Sequence, residues 1–145
     1  MFIRYKGKTK TIWLPKKASQ AFTAGSAVAA GTATDAGTII PATSETGALR
    51  LMGVIRETVA STDSDYASNT KVPVEVPVEK GVEWIADVAS NTLSLAAVKT
   101  NIGNELDLSN HLLVNLASSS TTCCIVKDVI STAKVVVSLK INNCY

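Results

Sequence analysis

The sequence contains little of what enzyme active sites are usually built from. It has one histidine, three cysteines, two tryptophans, three tyrosines and two phenylalanines in 145 residues. It has no Gly-Lys-Ser/Thr phosphate loop, no Gly-x-Ser-x-Gly elbow and no His-Glu-x-x-His zinc motif. The single histidine, His111, has no cysteine or histidine at ligand spacing. We therefore predict no catalytic residues, no bound metal and no cofactor.

Long apolar runs are also missing, as is a strong charge of either sign. No stretch of about twenty apolar residues is present, and the basic start is not followed by the apolar core of a signal peptide. We expect neither a membrane span nor a secretory signal. The formal net charge of +2 is too small to favour nucleic acid or an anionic membrane as the main partner. The length fits one globular domain.

The cysteine pattern argues against a disulfide framework. Cys123, Cys124 and Cys144 are odd in number, and two of them are adjacent, which disfavours an ordinary disulfide between them. We interpret all three as reduced thiols packed as small apolar residues, which suits synthesis in a reducing cytosol.

The first 17 residues are basic. They contain six lysine or arginine side chains and no acidic residue. Alternation predicts two short strands, Phe2–Tyr5 and Thr9–Leu14, around a turn at residues 6–8, with Pro15 ending the second. We interpret residues 1–17 as an extended N-terminal basic arm and residues 18–145 as a β-rich domain.

The clearest strand pattern lies between Lys71 and Val88. Valine occupies every even position from 72 to 78, whereas proline and glutamate alternate at the odd positions. A second alternating segment, 82–88, follows a Glu79–Gly81 corner, which predicts a β-hairpin. Because Pro73 and Pro77 lack an N–H, the first strand is predicted to be an edge strand or to be paired only in part.

Shorter predicted segments fill the rest of the chain. The alternation of Leu93, Leu95 and Ala97 with small residues continues the pattern, and Ile102, Leu106 and Leu108 predict an ordered loop over 101–110 that is pinned to the core. A bend or bulge is expected at Gly53 within a long strand. The further predicted strands are Ala27–Ala30, Thr38–Pro41, Ala48–Ala60, Leu112–Ala117, Cys123–Ile130 and Ala133–Ile141. The fold class is therefore mainly β, a compact single-domain β-sandwich or barrel-like fold with the basic arm attached.

Several segments together resemble the small capsid decoration, or cement, proteins of tailed bacteriophages. The resemblance covers most of the chain after about Ala18, and it is carried by Phe22–Val28, Gly47–Ile55, Val72–Val76, Glu83–Val88, Asn101–Leu108 and Val114–Asn115. It implies a non-enzymatic virion protein, made in the host cytoplasm, that binds the outside of the expanded capsid between major capsid subunits. It also implies a homo-oligomer, with a trimer favoured. The basic segment lies outside the resemblance.

The residues of the basic segment suggest how such a protein binds its capsid. We predict that it adds a strand to an exposed sheet edge, with apolar side chains in pockets and basic side chains on carboxylates. The predicted capsid-binding residues are Arg4, Lys6, Lys8, Lys10, Ile12, Trp13 and Leu14. Two alternatives remain, a tail or neck component of a phage and a non-viral β-sandwich binding module.

Overall fold

The computed structural model describes residues 1–90 and 92–141 as a two-sheet β protein. One α-helix, α1 (Leu95–Lys99), and two 3-10 helices, Ala33–Asp35 and Ala48–Arg50, lie between strands. In chain order the strands are β1 (Phe2–Lys6), β2 (Thr9–Pro15), β3 (Ala27–Ala30), β4 (Ile39–Pro41), β5 (Leu51–Ile55), β6 (Lys71–Pro77), β7 (Glu83–Val88), β8 (Glu105–Asn110), β9 (Leu113–Asn115), β10 (Cys124–Val129) and β11 (Lys134–Leu139).

The first sheet closes into a five-stranded barrel. Its strands pair in the order β7-β11-β10-β8-β9, and a short parallel pairing of β9 with β7 closes the ring. Strand β1 pairs with the first four residues of β7, and β9 pairs with its last two. The two strands therefore lie end to end along one side of β7. No strand pairs with the other edge of β1 in the described part of the chain, where the Phe2 N–H bonds to the Gly25 carbonyl.

The second sheet has the order β2-β6-β5-β3-β4, and all its pairings are antiparallel. The longest is between β2 and β6, where seven residue pairs run from Thr9↔Pro77 to Pro15↔Lys71. Beyond β2, Lys16 and Ile39 form a single parallel bridge, which brings the end of β2 next to β4. Strand β2 otherwise forms the edge of this sheet.

Both sheets contribute to one hydrophobic core. The core contains Phe22 from a loop, the even-numbered valines of β6, and Trp84 of β7, which is fully buried. The alternation therefore predicted the buried faces of β6 and β7 correctly. The mainly β, single-domain, barrel-like or sandwich class is confirmed.

The predicted hairpin between the strands at 71–78 and 82–88 is wrong. Strand β6 lies in the second sheet between β2 and β5, whereas β7 lies in the barrel between β1 and β11. The corner at Gly81 is real and has φ +80°, but it carries the chain from one sheet to the other. Alternation specifies a strand and its buried face but not the strand with which it pairs. Strand β6 pairs with β2 over seven residue pairs and does not pair with β7.

Pro73 and Pro77 limit the pairing of β6, as predicted, but β6 is an internal strand and not an edge strand. Val78 donates to the Lys8 carbonyl and Lys16 donates to the Thr70 carbonyl, so the even-numbered backbone groups of β6 face β2. The odd positions, including Pro73 and Pro77, face β5, where only two residue pairs form. The strand is therefore internal but only partly paired on the side where the N–H groups are missing.

The interpretation of residues 1–17 as an extended arm is also corrected. Strand β1 belongs to the barrel and β2 to the second sheet, and Phe2 and Lys16 are buried. Both strands were predicted nearly at their observed bounds. Both strands are paired within the fold, although Ile3, Tyr5 and Trp13 remain exposed, so residues 1–17 do not form a separate arm.

Three further segments differ from the predictions. Strand β5 spans only Leu51–Ile55, because a 3-10 turn precedes it and a bend follows. Residues 95–99 form α1, whose first turn is capped by the Ser94 hydroxyl, which accepts from the Ala97 N–H. The predicted loop at 101–110 contains strand β8, in which Leu106 and Leu108 are buried, while Ile102 is exposed.

Candidate interaction surface

The predicted capsid-binding residues lie on β1, on β2 and on the turn between them. Arg4 and Lys6 belong to β1, and Lys8 is in the turn. The other four, Lys10, Ile12, Trp13 and Leu14, belong to β2. The structure therefore places six of the seven on two consecutive strands, one in each sheet, and the seventh in the turn that joins them.

One edge of β2 presents unpaired backbone groups. Because its even-numbered residues bond to β6, the odd-numbered residues direct their N–H and C=O groups away from the sheet. Within residues 1–90 and 92–141, the outward groups of Thr11 and Trp13 have no hydrogen-bond partner. Pro15 has no N–H and ends the open stretch. This is a sheet edge that can accept another strand.

The predicted apolar triplet is divided between two faces of β2. Ile12 and Leu14 are partly buried and pack against the protein's own core. Trp13 lies on the outer face, opposite Pro73, and is 59% exposed. Of the three, only Trp13 is free to anchor a partner, because successive side chains of a strand point to opposite faces.

The basic side chains of the segment also differ in their roles. Lys6, Lys8 and Lys10 are exposed, and none forms an ion pair within the described part of the chain. Lys17 pairs with Asp35 at 3.0 Å. The Lys16 ammonium is buried and donates to the carbonyl oxygens of Tyr66 and Ser68, both at 2.7 Å. Three lysines therefore remain for an acidic partner, and Lys16 instead fixes the 61–70 loop.

A cluster of polar side chains around Glu75 was not predicted from the sequence. Glu75 of β6 is 7% exposed, although its position in the alternation predicts the solvent face. Its carboxylate accepts from the Thr9 hydroxyl at 2.6 Å and from Arg56 at 3.3 Å, and the Arg4 Nε lies 3.4 Å from it. A local sequence pattern cannot show this convergence, since the partners lie on three different strands or their ends.

Asp107 of β8 is another buried carboxylate that the sequence did not single out. Burial alone raises its pKa, but hydrogen bonds from the Ser118 hydroxyl and from three backbone N–H groups lower the pKa to about 2. The N–H donors belong to Ser120, Thr121 and Thr122, at 2.7–2.8 Å. This arrangement organises the 118–122 loop, and every carboxylate oxygen has a donor.

Cys123 and Cys124 are packing residues, whereas His111 is partly exposed in a turn. Cys123 and Cys124 are free and buried, and burial raises the pKa of Cys124 to about 12, which keeps the thiol protonated at neutral pH. Burial also lowers the pKa of His111. Cys144 lies outside the described residues. Across residues 1–90 and 92–141 no group of three metal-ligating side chains occurs.

Comparisons with protein families and with curated proteins identify no relative of this chain. No protein-family model matches the chain, and no curated protein matches it in sequence. In the described part of the chain, no helix has the length and apolarity needed to cross a membrane.

Proposed function

We propose that the protein is a non-enzymatic virion protein that binds the outer surface of an expanded tailed-phage capsid between major capsid subunits and stabilises it. The observation that carries the proposal is the open edge of β2, which combines unpaired backbone groups with the exposed Trp13 and three exposed lysines. The resemblance to decoration proteins supports the same function. We further propose a homo-oligomer, favouring a trimer, because such proteins often sit near local threefold positions.

The surface suits strand addition to a capsid protein. An extended capsid segment paired with β2 accepts and donates backbone hydrogen bonds at Thr11 and Trp13. The Trp13 ring supplies a rigid apolar contact, and Lys6, Lys8 and Lys10 favour carboxylates beside that segment. The affinity of one such contact is modest, but many bound copies on a closed shell together oppose the dissociation of the shell.

Cosedimentation tests the proposal. The purified protein is mixed with expanded heads, unexpanded proheads and isolated tails, and the bound copies per particle are counted. Saturable binding to expanded heads, with raised resistance of the heads to heat, is the expected result. Binding to tails alone would assign the protein to the tail or neck, and binding to no particle would favour a non-viral binding module.

A pair of substitutions at Thr11 tests strand addition itself. Deletion of residues 1–17 is unsuitable, because it removes two strands of the fold. Thr11→Pro removes one outward N–H without removing a donor to β6, so we expect it to weaken head binding about tenfold. Thr11→Val keeps the N–H and should bind like the wild type. Unchanged binding by a folded Thr11→Pro variant would exclude β2 as the docking edge.

A further inference from the structure

A cleft of about 330 Å³ lies where the barrel meets the second sheet. Its walls come from β1 on one side and from β5 and β6 on the other. Its accessible apolar part is lined by Met1 and Ile3, above the buried Phe2 and Ile55. Arg4, Arg56 and Glu75 line its polar part. The cleft therefore offers apolar and charged contacts side by side.

The charges in this cleft do not cancel. Two guanidinium groups share one carboxylate, and the N-terminal ammonium of Met1 pairs with Asp87, so an excess of one positive charge remains among the side chains that line the cleft. The side chain of Glu75 is 9% exposed, while those of Arg4 and Arg56 are 46% and 50% exposed. The buried carboxylate thus binds both guanidinium groups on their inner side, and the rest of each guanidinium group faces solvent.

Both arginines retain hydrogen-bond donors for a ligand. Arg4 uses its Nη1 on the Thr9 hydroxyl at 2.7 Å, and Arg56 uses its Nη1 on Glu75. In the part of the chain that the structure describes, neither Nη2 group donates a hydrogen bond. Guanidinium groups bind carboxylates through such paired donors, and fixing them in advance lowers the entropy cost of binding.

The edge of β1 that faces away from β7 adds one open backbone donor on the same side, the N–H of Arg4. The Phe2 N–H bonds to the carbonyl of Gly25, a cleft residue, at 2.8 Å, so it points away from β7. Arg4 has the same parity on β1 and pairs with Trp84 of β7 in the same manner, so its N–H also points toward the cleft. Extended backbone is the ligand that such an edge selects.

We propose that this cleft binds an extended acidic segment of the protein's partner, with one carboxylate held by Arg4 and Arg56. The excess of a single positive charge matches one carboxylate, and the buried Glu75 disfavours a more highly charged group such as a phosphate dianion. An apolar neighbour of the acidic residue contacts the exposed side chains of Met1 and Ile3. The inference deepens the proposed function, on which it rests for the identity of the partner as a capsid protein.

Titration of the full chain with a defined peptide tests the site. The probe is an N-acetylated, C-amidated pentapeptide of alternating valine and glutamate, and the matched control peptide replaces glutamate with glutamine. We expect the glutamate peptide to shift the backbone amide resonances of Arg4, Gly25 and Arg56 and to bind about tenfold more tightly than the glutamine peptide. Equal binding of the two peptides, or shifts elsewhere on the surface, would overturn the proposal.

Substitutions in the protein provide the second measurement. Arg56→Gln should lower the affinity for the glutamate peptide about tenfold. Arg56→Lys keeps the charge but loses the planar donor pair, so its affinity should lie between those of the wild type and Arg56→Gln. Lys127→Gln on β10 changes the net charge equally outside the cleft and should leave the affinity unchanged. Thermal unfolding of each variant checks that it is folded. Equal affinities for Arg56→Gln and wild type would contradict the proposal.

The same variants separate this inference from the proposed function. If wild-type protein binds heads and Arg56→Gln binds them equally well, the capsid function stands and the cleft is not used. If the peptide binds in the cleft and no head binds, the site stands and its partner is not a capsid. If Arg56→Gln instead converts an oligomer to a monomer in sedimentation velocity, the occupant is a second copy of this chain, which overturns the proposal.

Discussion

Three charged side chains buried in the fold show how single residues can depart from a strand pattern. Glu75, Asp107 and Lys16 are each less than a tenth exposed. Each has at least two hydrogen-bonding or charged partners, which offset the cost of removing a charge from water. These hydrogen-bonding partners lie at least eleven residues away in the chain, so no local sequence pattern predicts them.

The Asp107→Asn variant tests the most completely bonded of these groups. An amide keeps one acceptor oxygen but turns its NH₂ toward N–H or O–H donors, which leaves donors of the 118–122 loop unpaired. We expect the free energy of unfolding at pH 7 to fall by about 2 to 3 kcal/mol, measured by urea denaturation. Glu45→Gln, at an exposed side chain, is the control and should change it little.

The pH dependence of the same variant has a defined sign. The pKa of Asp107 falls from 3.8 to about 2 on folding, so its ionised form is stabilised in the folded state. That contribution, about 2 kcal/mol, is complete above pH 4 and is lost as the pH falls toward 2. The difference between wild type and Asp107→Asn should therefore shrink over this range. Parallel stability curves for the two proteins would show that Asp107 does not titrate in this way.

At the scale of a single element, Gly53 decides the shape of β5. Its neighbours in β3 pair with a shift of register, since Val28 lies opposite Gly53 and Ala29 lies opposite Leu51. The bulge expected at this glycine is therefore confirmed. Gly53 has φ +157°, and a Cβ there would lie 2.6 Å from the Glu75 carbonyl oxygen. The absence of a side chain allows β5 and β6 to approach.

Gly53→Ala should therefore destabilise the protein by about 3 kcal/mol, because backbone atoms of β6 must move to make room. Gly47→Ala is the matched control, since Gly47 has φ −75° and no atom lies within 4 Å of the added methyl group. Chemical denaturation of both variants compares the two costs. Similar stabilities would mean that β5 and β6 separate at little cost.

Elements could be predicted from the sequence more reliably than their partners. Strands β10 and β11 and the buried faces of β6 and β7 follow from period-two alternation, which is a property of neighbouring residues. Pairing depends on residues far apart in the chain, and for this reason the predicted hairpin of β6 with β7 was wrong. The β2 surface was predicted in part, whereas the Arg4–Glu75–Arg56 cluster required the fold.

At the scale of the whole molecule, the first 15 residues connect the two sheets. Strand β1 pairs along β7 of the barrel, and β2 pairs along the full length of β6 after a short turn. Gly7 in that turn has φ +93°, and an added Cβ there would lie 2.9 Å from Val82, which follows β6. Each sheet therefore depends on a strand supplied by the same short segment, in addition to the core they share.

This arrangement predicts one cooperative unfolding transition rather than separate melting of barrel and sheet, because opening either sheet exposes the common core and releases β1 or β2. The chain supplies its own reporter, since Trp84 is buried in the barrel while Trp13 is exposed on the second sheet. In a Trp13→Phe variant, Trp84 fluorescence follows the barrel alone, and far-ultraviolet circular dichroism follows both sheets. We expect urea midpoints and slopes that coincide and a calorimetric enthalpy equal to the van't Hoff enthalpy. Separate midpoints would show that the two sheets are independent units, and the docking edge of β2 could then open without loss of the barrel.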